Sequence, residues 1–113
     1  MKGSKLAEKF NLEETAMYLI APPGEGKSLS FMALRAAKKG NFEEATKYIE
    51  EANKEMLKAH EIQTSLIVKE AGGEKIEVGL IMVHSQDHLM NAILFKDLAQ
   101  EFIDLYKKIE ENK

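Results

Sequence analysis

The side chains most able to do chemistry gather in one stretch, His84-Ser85-Gln86-Asp87-His88, where five polar residues interrupt an otherwise apolar run. On a helix, residues three and four apart share a face, so His84, Asp87 and His88 are predicted to point the same way. Gln86, two residues from His84, is predicted to point elsewhere and to serve a neighbouring copy of the chain. Polar groups on a face filled by Leu, Ile and Met are costly unless they find partners. A third imidazole, His60, lies at the edge of the preceding apolar seam, from which it can approach this face.

Three chemistries fit these residues. A neutral imidazole keeps a free lone pair at cellular pH, so His84 can act as a nucleophile that takes up and passes on a phosphoryl group. His84 and His88, four apart, can instead ligate a metal, although the zinc-protease pattern needs Glu directly after the first His and Ser85 stands there. Or the two histidines are simply hydrogen-bonded residues on a helix surface.

Composition narrows the field. The chain has 113 residues with no cysteine, which removes disulfides, thiolate-zinc sites and thiol catalysis. Its net charge is -3, and the Phe and Tyr residues are not interleaved with Arg, so nucleic acid is not an expected partner. No apolar run, Leu80 to Val83 included, approaches the ~20 residues of a membrane span. Met1-Lys2-Gly3-Ser4-Lys5 leads into charged residues rather than an apolar segment, so no signal peptide and a cytoplasmic location are expected. The length suits one domain over residues 1–113.

The elements that must position these residues read as helices between three breaks, Pro22-Pro23-Gly24, Gly40-Asn41 and Gly72-Gly73. Leu29, Met32, Ala33, Ala36 and Ala37 recur at steps of three and four, and Lys38, Lys39 and Gly40 end that helix. Asn41 with Glu44 spells a capping box. After it, Phe42, Ala45, Ile49, Ala52, Met56, Ala59, Gln63 and Leu66 form a long seam running to Ala71. From Leu89 to Tyr106, twelve of the eighteen residues are apolar, more than one face of a helix in a small monomer needs, which points to self-association. Ile76 to Val83 is β-branched enough for a strand but has no pairing partner, and it reads as the buried start of the last helix.

Ala21-Pro22-Pro23-Gly24-Glu25-Gly26-Lys27-Ser28 satisfies a relaxed phosphate-loop pattern. Such a loop needs a strand before it and a parallel sheet around it, and the chain supplies too few strand-like runs. It reads as a loop that happens to spell the pattern.

Met82-Val83-His84-Ser85-Gln86-Asp87-His88-Leu89-Met90 resembles the active-site signature of the enzyme IIA component of lactose, cellobiose and chitobiose-type sugar phosphotransferase systems. Ala36-Ala37-Lys38-Lys39-Gly40-Asn41-Phe42, Ala59-His60-Glu61-Ile62-Gln63-Thr64 and Leu94-Phe95-Lys96-Asp97-Leu98 extend the likeness over residues 12 to 108. The resemblance implies an all-α chain, an antiparallel three-helix bundle that trimerises into a nine-helix bundle. It implies that His84 accepts a phosphoryl group from the phosphocarrier protein HPr and donates it to a cysteine of a cognate enzyme IIB. It implies that Asp87, once from each chain, binds a divalent cation, expected to be Mg2+, on the trimer axis. Gln86 and His88 match residues lining the phosphoryl site, with His60 and Gln63 beside it. The chain departs from the family at Pro22-Pro23, which are expected to break the first helix. The alternative is a non-catalytic regulatory or binding protein on the same scaffold; a metal-dependent hydrolase is a third possibility.

Overall fold

In the computed structural model, residues 12–113 are described, and the expectation about a signal peptide at residues 1–5 lies outside them. A helical segment over residues 12–18 (α1) turns at 19–20 into α2, Ala21–Lys38. Then follow α3, Phe42–Ala71, and α4, Leu80–Glu111.

The two prolines break the first helix where expected, yet they do not delay the next one. They occupy the first turn of α2, where backbone amides have no intrahelical partner to lose. The Leu19 amide bonds back to the carbonyls of Thr15 and Ala16, and the Gly24 amide to that of Ile20, so α1 and α2 form one bent arm. Residues 21–28 are therefore the first turns of a helix rather than the expected loop. Gly26 is buried inside that helix, no strand precedes it among the described residues, and the phosphate-loop pattern has no cradle.

Both turns between the long helices close in the same way. Gly40 and Gly73 adopt positive φ, at 84° and 99°, a conformation that costs glycine little. After α2, the Gly40 amide donates to Ala37 and that of Asn41 to Ala36. After α3, the Gly73 amide donates to Glu70 and that of Glu74 to Lys69. These are paired Schellman closures that satisfy the last carbonyls. The expected capping box does not form: Asn41, at ψ 69°, lies outside the extended region from which a cap side chain reaches the helix amides. Glu44 instead accepts from the Tyr48 hydroxyl at 3.3 Å.

The end of α2, the start of α3 and the second half of α4 share one core cluster, with Ala36, Ala37, Ala45, Ile49, Ala99 and Ile103 in it. At the other end, Ala16, Leu19, Ala59, Met82 and Leu89 meet. The three long helices thus run antiparallel in sequence, as expected. Alanine dominates the contacts, so the helix backbones come close. Gly26 marks a tight approach, because a Cβ there would lie 2.7 Å from Met56 Cε and 3.3 Å from the Ala52 carbonyl oxygen.

The segment before α4 corrects the sequence reading. Residues 74–79 have no regular structure, and α4 starts only at Leu80. Leu80 is 85% exposed, Ile81 and Val83 are half exposed, and only Met82 of this run is buried. Of the β-branched residues that suggested burial, Ile76, Val78 and Val83 only wall a shallow groove against α3, and the two valines stay largely exposed. Along the rest of α4, Met90, Leu94, Leu98, Phe102, Leu105 and Ile109 also stay exposed, as the surplus of apolar residues implied. No helix among the described residues is long and apolar enough to cross a membrane.

Gly26→Val should destabilise the fold by about 1–3 kcal/mol, because the Met56 methyl can swing away from a first added carbon but the Ala52 carbonyl oxygen leaves no room for the further two. Ser28→Ala, at an exposed position in the same helix, should change stability by less than about 0.5 kcal/mol. Denaturant unfolding at matched protein concentration checks this, and equal midpoints for the two variants would remove the close-approach account.

Candidate functional site

The polar stretch lies in the second and third turns of α4, where successive side chains step by about 100° around the helix. This stepping sorts the five residues onto two faces. His84 and Asp87 are exposed and His88 is half buried on one side. Ser85 is buried and Gln86 half buried on the other.

On the outer face, the rings of His84 and His88 lie 6.2 Å apart between centroids and within 25° of parallel. His88 Nε2 is buried without a hydrogen-bond partner, and a Cβ on Gly24 of α2 would stand 3.4 Å from it. Asp87 accepts from Asn91 Nδ2 at 3.2 Å. Its carboxylate interrupts the exposed apolar row of Leu80, Val83, Met90, Leu94 and Leu98.

On the inner face, Gln63 Nε2 of α3 donates to Gln86 Oε1 at 2.7 Å and lies 3.6 Å from Met90 Sδ. Gln86 Nε2 in turn lies 3.6 Å from Met82 Sδ. Ser85 Oγ donates to the Met82 carbonyl at 2.7 Å, which satisfies a buried hydroxyl. Gln63 and Gln86 also line a groove of about 330 Å³ between α3 and the start of α4, walled otherwise by Glu70 and by apolar side chains such as Leu66, Val78 and Val83.

Of the residues singled out from sequence, the structure brings together His84 with His88, and Gln63 with Gln86. His60 is exposed on α3 and joins neither pair through a hydrogen bond among the described residues. Gln86 does turn away from His84, but its carbonyl is held by Gln63 of its own chain, which the sequence reading had not foreseen. Gly24 and Met82 also shape the site. Gly24 was read only as part of a break, and nothing in its spacing relates it to a histidine more than sixty positions away. Met82 signals itself only weakly, through its place three and four residues before Ser85 and Gln86. Among the described residues, no group of three or more His, Asp or Glu is placed to hold a metal within one chain.

Residues 14–107 match the family model described as the PTS system, lactose/cellobiose-specific IIA subunit. The lichenan-specific phosphotransferase enzyme IIA component of Bacillus subtilis is 50% identical over 102 residues, which cover 90% of this chain and 93% of that protein. The crystal structure of the PTS cellobiose-specific enzyme IIA from Bacillus anthracis superposes with a TM-score of 0.86 at 45% identity, over 90% of this chain and 94% of that one. The IIA(chitobiose) chain in the solution structures of its complex with HPr, from the N,N'-diacetylchitobiose branch of the Escherichia coli phosphotransferase system, gives 0.76 at 39% identity, covering 88% and 96%.

The amide pair is open to a double-mutant cycle. Gln63→Ala and Gln86→Ala should show a coupling of about 0.5–1.5 kcal/mol in unfolding free energy, the net worth of one partly buried hydrogen bond. Strict additivity would mean that the 2.7 Å contact contributes nothing.

Proposed function

We propose a function from one premise: the chain belongs to the lactose/cellobiose-specific IIA subunits of the sugar phosphotransferase system. In this reading it is a cytoplasmic phosphoryl carrier for sugar uptake. His84 accepts a phosphoryl group from phosphorylated HPr and passes it to a cysteine of a cognate enzyme IIB. The observation that carries the proposal is the exposed imidazole of His84 on a rigid 32-residue helix, one turn from a second imidazole. A carrier must be reached by two proteins in turn, and a ring on the outer face of α4 meets that need. HPr as donor is supported by the chitobiose relative, whose solution structures are of a complex with HPr.

In the uptake step, the His84 lone pair forms a bond to phosphorus as the donor's P–N bond breaks and its electron pair returns to the donor ring. In the delivery step, the acceptor thiolate forms a P–S bond and the His84 P–N bond breaks. Each exchange needs donors around the phosphoryl oxygens and an interface small enough to dissociate. Of the side chains singled out, His88 stands one turn away, and His60, exposed on α3, is assigned a place beside the site by this reading. Gln86 and Gln63, on the opposite face, are poised to serve the His84 of an adjacent copy. The relatives' names carry lichenan, cellobiose and N,N'-diacetylchitobiose on one scaffold. This favours a carrier whose sugar is chosen by another component.

The same reading assembles three copies into a nine-helix bundle through the exposed row on α4. Beside the histidines one chain contributes a single carboxylate, Asp87, with Glu101 of the same row about four turns away, so a cation at Asp87 would need the three symmetry-related copies to complete its ligands. Three carboxylates meeting there would repel, and a divalent cation, Mg2+ as first candidate, would supply the neutralising charge.

Incubation with phosphorylated HPr should label the protein, and His84→Gln should reduce labelling to background while circular dichroism stays unchanged. Label retained by that variant would place the nucleophile elsewhere. Native mass measurement should find three chains with one divalent ion. Leu94→Lys should raise the concentration needed for assembly about thirtyfold or more, the scale of losing an interface anchor worth about 2 kcal/mol. Chelation should weaken the assembly of the unsubstituted chain but leave Asp87→Asn unaffected. A monomer at all concentrations would end the trimer proposal.

A further inference from the structure

Buried polar atoms without partners are rare, and each calls for a cause. His88 Nε2 is the one such side-chain atom among the described residues. It is buried because α2 comes close at Gly24, where even a single added carbon would stand 3.4 Å from the ring nitrogen. The three residues that end at Gly24 offer no spare donor. Pro22 and Pro23 have no amide hydrogen, and the Gly24 amide is already committed to the Ile20 carbonyl at 3.0 Å.

An imidazole in this setting must choose where its proton sits. A proton on Nε2 would leave a buried N–H with no acceptor, whereas a bare lone pair there is the less costly orphan. The proton then belongs on Nδ1, and the ring keeps its donor on the nitrogen that is not shut against α2. His88 shares a helix face with His84, one turn earlier, and the two rings lie nearly parallel at 6.2 Å. A donor fixed on this ring is available to an oxygen of a phosphoryl group carried by its neighbour.

We propose that Gly24 is a positioning residue for the phosphoryl site: its small size lets α2 seal Nε2 of His88, which fixes the proton on Nδ1 as a donor to the phosphoryl group on His84. The proposal rests on His84 being the carrier, as argued above. It adds a requirement that residue 24 be no bulkier than the 3.4 Å approach admits, so that a larger residue there acts on the chemistry only by way of His88.

The test combines nitrogen NMR of the histidine rings with the rate of phosphoryl uptake from phosphorylated HPr. In the unsubstituted protein, the His88 signals should report a protonated Nδ1 and a bare Nε2. Gly24→Val should push the ring off the α2 backbone, mix the two tautomers and slow uptake about tenfold, the scale of one hydrogen bond to a charged group. Gly24→Ala, which adds only one carbon at ordinary contact distance, should move both readouts less than Gly24→Val does. Ser28→Val, an exposed β-branched substitution in the same helix, should move neither. A proton on Nε2 in the unsubstituted protein overturns the proposal without recourse to any variant. Unchanged ring signals in Gly24→Val, or altered signals with an unchanged uptake rate, overturn it as well. Failure of the unsubstituted protein to take up any phosphoryl group would instead count against the carrier function, and the ring signals would still decide whether Gly24 governs the tautomer.

Discussion

The close approach of α2 to α3 and α4 is the constraint on which the rest of the structure depends. It is made by small residues: Gly26, Ala33, Ala36 and Ala37 on α2 face a core supplied elsewhere by Ala45, Ala52, Ala59, Ala92 and Ala99. Helices in contact through Ala and Gly have little room between them for Leu, Ile or Phe. Much of the bulky apolar surface of α4 is therefore left outside, with Leu94 58% and Phe102 48% exposed. A small chain buries a modest share of its surface at best, and spending core positions on alanine lowers that share further. The exposed row on α4 and the tight interior are two sides of the same packing choice.

The site follows from that packing through the pitch of one helix. Because α4 turns its Met82–Ser85–Leu89 side inward, His84 and Asp87 must face outward. Gln86 falls between these directions and meets Gln63 across the α3–α4 groove. The two histidines are thus separated from the two glutamines within a single chain, although all four are near in sequence or in space. Chemistry that needs both pairs must bring them from different copies, which ties the proposed carrier function to assembly more firmly than either pair would alone.

Much of this was legible in the sequence, and the exceptions have specific causes. The three-and-four spacing of Ala45, Ile49, Ala52, Met56 and Ala59 set out α3, and Gly40 marked the end of α2 because a positive φ was needed there. The shared side of His84, Asp87 and His88 followed from helical spacing as well, whereas its outward direction came only with the packing of α4. Asn41 misled because its backbone already serves the Schellman closure at Ala36, and a residue held in that geometry cannot also aim its side chain at the helix amides. Ile76 to Val83 misled because β-branched residues suit the wall of an open groove as well as a core. The prolines at 22 and 23 were seen as a break, but whether a proline pair ends one helix or begins the next depends on which amides go unused. The contact of Gly24 with His88 belongs to tertiary structure alone, since it depends on how α2 crosses α4.

The exposed row on α4 also has a period. Leu80, Val83, Asp87, Met90 and Leu94 follow one another at alternating steps of three and four, the spacing of a heptad seam, and beyond Leu94 the row widens to steps of four through Leu98 and Phe102. Helices that meet along such a row have cause to wrap in the left-handed sense near the start of α4 and to straighten toward its end. A partner laid on α4 would therefore hold closest to the stripe in about its first four turns.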